Sequence, residues 1–258
     1  MSETRSLGNN TPSAGHDVES QAYGQTLWLT LNRPEAGNKL TTTMLIQIAD
    51  AIRQANADKS INTLMLNANG PDFCLGGELG RYWDMDPKDI QQFADAFIDA
   101  LLQIRGSAIP VILSAVGRVW GGGVCLLDAA DVVIVRKDIS IAIPEVISGR
   151  PPVLSFIGSF RNIPEKTVMR MALSGEAIDA SEALRIGLVS LIADDEPKQK
   201  ELCETWIDII IKAGSNTTHV IKQLRTAADC TRYDQQLRSA GAMLAKALLP
   251  DTPDIKSL

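Results

Sequence analysis

Three stretches of the chain put chemically useful groups where a fold could gather them. Phe73-Cys74-Leu75-Gly76-Gly77-Glu78-Leu79 carries a glycine pair between a strand pattern and a helix pattern. Glycine there lets the backbone turn sharply and leaves an N–H open to a ligand, although a plain tight turn reads the same way. Gly117-Arg118-Val119-Trp120-Gly121-Gly122-Gly123-Val124-Cys125 puts three glycines at a helix start, where the dipole favours negative charge. Close packing of a buried helix would use the same glycines. Two N–H groups from separate loops could together hold an oxyanion. Ile143-Pro144-Glu145, leading into Gly149-Arg150-Pro151-Pro152, sets a lone carboxylate in the apolar stretch 139–147. Burial would raise its pKa and make it a proton carrier near neutrality; an exposed loop glutamate or half of an ion pair is the plainer reading. The chain has no GxxxxGK and no GxGxxG, so loops that cradle nucleotide phosphates are poor rivals.

These groups need a frame of alternating strands and helices. Leu27 to Leu31 reads as a short apolar strand closed by Asn32-Arg33-Pro34. Thr41 or Thr42 can cap the following helix, whose Leu45, Ile48, Ala49 and Ile52 share one face. Thr63 to Leu66, Val111 to Ala115 and Val132 to Val135 read as buried strands. A wide apolar face from Ile90 to Leu102 marks a long helix over about 88–104. Asp179 with Glu182 resembles a capping box, and Gly187 ends that helix. Strands joined by helices imply parallel pairing with right-handed crossovers, so the class is α/β. Beyond Pro197 three helical stretches follow, 201–212, 217–228 and about 233–248. The expected organisation is a flexible polar tail over 1–20, a core over 21–192 and a helical region over 193–258.

The 258 residues are 45% hydrophobic and 22% charged, enough to bury a large core and too apolar for whole-chain disorder. A net charge of −6 argues against general nucleic-acid binding. No apolar run is long enough to span a bilayer, and residues 1–20 lack a signal-peptide core, so no membrane partner is expected. Cys74, Cys125, Cys203 and Cys230 are dispersed and form no CxxC pair, and His16 and His219 are the only histidines. A zinc site is not expected, and the free thiols suit the reducing cytoplasm.

The ordered set is more specific than its parts. Asn32 to Asn38, Phe73 to Leu79, Gly117 to Gly123, Asp131, Pro144-Glu145 with Gly149, and Ser174-Gly175-Glu176 through Ala183 to Gly187-Leu188-Val189 together resemble the crotonase superfamily, the enoyl-CoA hydratase/isomerase family. The resemblance implies a spiral of ββα turns, C-terminal helices that build a homotrimer or dimer of trimers, and acyl thioester substrates. It implies no cofactor beyond the coenzyme A or carrier-protein pantetheine of the substrate, and no metal. The shared chemistry is an enolate whose oxygen lies between two backbone N–H groups, here those of Gly77 and Gly122. Gly77 stands where many members carry Ala. Arg33, Lys39 and Arg81 are candidates for the phosphates by neighbourhood.

The departures narrow the chemistry. Hydratases of this family use two glutamates; the first position holds Cys125 here, leaving Glu145. An ordinary thiol is a poor substitute, and Cys125 in an apolar segment reads as packing. A single base matches the family's double-bond isomerases, the first choice. Hydratases, dehydratases of polyketide β-branching, decarboxylases, C–C hydrolysis or cyclisation, and a non-catalytic binding subunit stay open. Pro151 to Phe156 replaces the usual glycine-rich run, and the bulk of Trp120 is expected to narrow the acyl pocket.

Overall fold

A computed structural model describes residues 17–79, 86–159, 163–226, 235, 237, 238 and 241. Arg81, residues 1–16, Cys230 and most of the 233–248 stretch lie outside the described residues. The chain opens with an antiparallel pair, β1 (Val18–Tyr23) and β2 (Thr26–Leu31). Strand β1 begins inside the stretch read as a polar tail. It is an edge strand with a mostly exposed face, so it carries no apolar run to betray it.

After β2 the pairing is parallel. Helix α1 (Thr42–Ala57) is capped by Thr41, whose hydroxyl accepts from Met44 N–H at 3.1 Å, and it buries Leu45, Ile48, Ala49 and Ile52 as the spacing requires. Strand β3 (Thr63–Ala68) pairs with β2 and with β4 (Val111–Ala115), with α2 (Pro87–Gly106) between them. Helix α2 starts at an Asp86 cap and Pro87, and turns Ile90, Phe93, Ala94, Phe97, Leu101 and Ile104 inward. Each later turn adds a second, shorter strand. Strand β4 leads into β5 (Arg118–Trp120) and α3 (Gly122–Ala129); β6 (Val132–Arg136) leads into β7 (Ser140–Ala142). Among the described residues six strands form a sheet in the order β1-β2-β3-β4-β6-β8, with β8 at Leu191–Ala193, while β5 and β7 pair separately. This is the ββα spiral of the crotonase fold.

Helices α4 (Val153–Ser159), α5 (Glu165–Ser174) and α6 (Ala180–Arg185) follow, and Asp179 caps α6 by accepting from Glu182 N–H at 2.8 Å. The main core lies between the sheet and helices α1 to α3. Helix α7 (Glu196–Ala213) covers the opposite face, packing Cys203 and Ile210 on Met65, Ile112 and Ile134. A further helical stretch, 215–226, returns to the core through Lys222 and Arg225.

Candidate active site

Backbone pairing brings the two glycine loops together. On one side of the first loop, Leu75 N–H donates to Gly37 O, Leu40 N–H to Gly76 O and Glu78 N–H to Leu40 O, at 2.8–3.0 Å. On the other, Phe73 N–H donates to Val116 O at 3.0 Å and Trp120 N–H to Cys74 O at 2.9 Å. Buried Asn38 fastens the turn before it, donating from Nδ2 to Asn69 O and Asp72 O at 2.9 Å. Asp72 in turn grips Arg118 through both carboxylate oxygens, and that pairing holds the carboxyl below its ordinary pKa. In the pairing with Leu40 the bonds belong to Gly76 and Glu78, so the Gly77 N–H points away from Leu40, and Gly77 lines the cleft.

The second loop turns at Gly121, whose φ of 51° and ψ of −118° belong to glycine. Gly122 then opens α3, where the first N–H groups have no acceptor within the helix. The loops touch: a Cβ built on Gly76 would lie 3.7 Å from Gly122 N. Behind them stand Phe93 and Phe97, stacked with centroids 6.0 Å apart. A Cβ on Gly77 would meet Phe93 Cζ at 2.7 Å, and one on Gly122 would meet Phe97 Cε2 at 3.0 Å. One turn of α2 therefore backs both glycines. The sequence marked these rings only as part of an apolar face.

Strand β7 runs into a short 3-10 helix, Pro144–Ser148, that carries Glu145 into the same cleft. Its carboxyl lies against the second loop, since a Cβ on Gly121 would come within 2.8 Å of Glu145 Oε1. Ser155 of α4 donates from Oγ to that Oε1, while Oε2 is buried with no hydrogen-bond partner among the described residues. Burial raises the Glu145 pKa above its ordinary value; Ser155, the local backbone and the Arg150 charge pull it back in smaller measure. Two N–H groups and a protonatable carboxyl in one cleft can polarise a carbonyl and shift a proton on the carbon beside it.

Cys125 lies one turn along α3 and is fully buried. Its Sγ packs under α4, 3.7 Å from Leu154 O, 3.8 Å from Ser155 O and 3.9 Å from Ser159 Oγ. Burial pushes the thiol far above its ordinary pKa. The cleft walls do not include Trp120; its half-buried ring carries the Arg118 guanidinium 5.1 Å from the centroid. Arg33 pairs with Glu78 at 2.7 Å and Lys39 is exposed. Among the described residues no cluster of His, Cys, Asp or Glu could hold a metal ion, and no helix is long and apolar enough to cross a membrane.

A family model described as enoyl-CoA hydratase/isomerase matches residues 22–253. The chain belongs to the enoyl-CoA hydratase/isomerase family. Within that family it is 25% identical to the mitochondrial enoyl-CoA hydratase domain-containing protein 3 of Mus musculus over 86% of this chain and 72% of the relative. It is 29% identical to a trans-2-decenoyl-[acyl-carrier-protein] isomerase of Streptococcus mutans, over 76% of each. An enoyl-CoA hydratase structure from Bacillus halodurans shares the fold, with a TM-score of 0.84 at 21% identity over 94% of this chain and 98% of that one. Family members are enzymes of the hydratase, isomerase and lyase type that take thioester substrates.

Proposed function

We propose that this family member is a double-bond isomerase of enoyl thioesters with Glu145 as its one acid/base. The observation that carries the reading is the set of groups around the cleft. Glu145 is the one carboxylate among its described lining residues, and the position that could hold a second carries Cys125, buried under α4. Gly77 and Gly122 N–H hold the thioester oxygen. Glu145 removes a proton from C2 of a 3-enoyl thioester, the electron pair moves onto that oxygen as a dienolate, and the same carboxyl returns the proton at C4. The raised pKa of Glu145 suits both halves of the exchange. The likeness to an isomerase that acts on a carrier-protein thioester supports this reading and keeps both pantetheine carriers, coenzyme A and carrier protein, as substrates to be tried.

We also propose that the C-terminal region joins copies into a homotrimer or dimer of trimers. Val220, Ile221 and Leu224, at 50%, 58% and 65% exposure, give the 215–226 stretch an uncovered apolar face, and light scattering of the purified protein tests it.

The reaction is tested with 2-enoyl and 3-enoyl thioesters in heavy water, followed by mass spectrometry. Deuterium should enter the product as the double bond moves, and Glu145→Gln should lower the rate by about 10²–10⁴-fold. Net addition of water would overturn the one-base reading. A decarboxylase leans on the oxyanion hole more than on a base, so activity surviving in Glu145→Gln would point there instead.

A further inference from the structure

Position 155 falls in the stretch 151–156, which departs from the glycine-rich run expected there, and it lies ten residues beyond Glu145. Ser155 is 6% exposed and belongs to the first turns of α4. Its hydroxyl donates to Glu145 Oε1, the oxygen that also abuts Gly121 at the second glycine loop. We infer that Ser155 is the positioning residue of this site: its hydroxyl sets the rotation of the Glu145 carboxyl and holds it against the oxyanion-hole loop. The inference rests on Glu145 being the acid/base proposed above.

Three observations carry it. A glutamate has three side-chain torsions, and the 3-10 turn that bears Glu145 restrains only the backbone. The second oxygen has no hydrogen-bond partner among the described residues, so the Ser155 hydroxyl is the described side-chain donor that orients the group. Finally, α4 is itself anchored at the place where a two-base enzyme keeps its other carboxylate. Cys125 Sγ packs against the carbonyls of Leu154 and Ser155, and a Cβ on Gly158 would fall 2.6 Å from that sulfur. The contacts at position 125 thus help seat the helix that presents Ser155 to the base. A longer side chain at 125 would meet α4 at these carbonyls and at Gly158, so the small Cys125 and the seat of Ser155 belong to one packed contact.

The hydroxyl also favours the ionised form of a base whose pKa burial raises, because it donates to the carboxylate. The charged and titratable groups facing Glu145 among the described residues are Arg150, on the turn after it, and Cys125 on α3. Arg150 lowers the Glu145 pKa further, and burial pushes the Cys125 thiol up, which favours its neutral form.

Ser155→Ala and Ser155→Thr test the inference, each checked for native circular dichroism and Tm. In Ser155→Ala, kcat should fall by about 10–100-fold, the cost of a misplaced group, with KM within about 2-fold of wild type. The acid limb of the pH–rate profile should move to higher pH, and Thr, which keeps the hydroxyl, should restore both. A readout free of turnover separates this claim from the reaction itself. Infrared difference titration of wild type against Glu145→Gln isolates the carboxyl band, and its midpoint should rise in Ser155→Ala. A raised midpoint in a protein inert toward every thioester would sink the proposed reaction and keep the positioning contact. An unmoved midpoint, or unchanged kcat and pH limb in an active enzyme, would overturn the inference.

Discussion

The two ends of α3 use polar groups in opposite ways. At its N-terminus Gly122 faces the cleft beside Glu145, whose Oε2 is buried without a partner among the described residues. Just past its C-terminus, Asp131 accepts from Val111 N–H at 2.7 Å, from Lys222 Nζ at 2.8 and 2.9 Å, and from Arg225. Lys222 spends a further N–H on Arg105 O at 3.1 Å, and Arg225 reaches Ala129 O and Ala130 O. Burial lowers the pKa of Lys222 and the Asp131 charge raises it again, so the ammonium depends on that carboxylate. Where polar groups saturate one another they fasten the fold; where capacity is left unused it is available to a substrate.

The largest effect expected from breaking this contrast is at the fastened end. Asp131→Ala leaves the buried Lys222 and the half-buried Arg225 without their carboxylate and should cost about 3–5 kcal/mol, read as a fall in Tm or in the denaturant midpoint. The kcat of the folded fraction, measured well below the new Tm, should stay within about 2-fold. An unchanged Tm would show that this end carries little load. Gly77→Ala acts at the other end by pushing a methyl toward Phe93 Cζ, and kcat/KM should drop by about 10-fold, less than loss of a whole oxyanion donor. Adding Phe93→Leu should recover most of the loss; failure of that rescue would mean that the ring does not set the donor's place.

Smaller effects sharpen the comparison. Cys125→Ala should lower stability by about 1 kcal/mol through lost packing and leave kcat within about 3-fold. In the wild type, thiol reagents should not label Cys125, or Cys74, whose pKa burial pushes up to about 12, without unfolding. Glu145→Gln offers the finest test, because burial places the folded pKa above the ordinary 4.5. The folded state then binds the proton more tightly than the unfolded chain, so stability falls as pH rises through that interval. The variant should unfold at a higher Tm than wild type at pH 7, with the gap closing below the ordinary glutamate value. A gap that does not change with pH would mean that Glu145 is not under strain from burial.

What the sequence revealed and what it hid divide along physical lines. Strands β2, β3 and β4 and helices α1 and α2 announce themselves through apolar period and capping residues, because each buries one face within its own length. The glycines are legible because a sharp turn and close backbone approach demand that residue type, and Glu145 because it is a lone carboxylate in an apolar stretch. Strand β1 is silent, since an edge strand needs backbone pairing more than apolar side chains. Ser155 carries no local signal: only the fold sets its hydroxyl on Glu145. Phe93 and Phe97 cannot be told from ordinary core residues of α2 by period alone. Asp131 stands 91 residues from Lys222 and 94 from Arg225, and no spacing rule links groups so distant.

The ladder that clamps residues 73–78 between 37–40 and 116–120 is made of backbone hydrogen bonds, apart from the Asn38 and Asp72 contacts. Side chains at 125, 145 and 155 can therefore change without touching these rungs. On the reading proposed above, such a scaffold separates carbonyl activation from the choice of what happens next. On that reading a change of acid at 145 alters the reaction while the backbone clamp stays as it is.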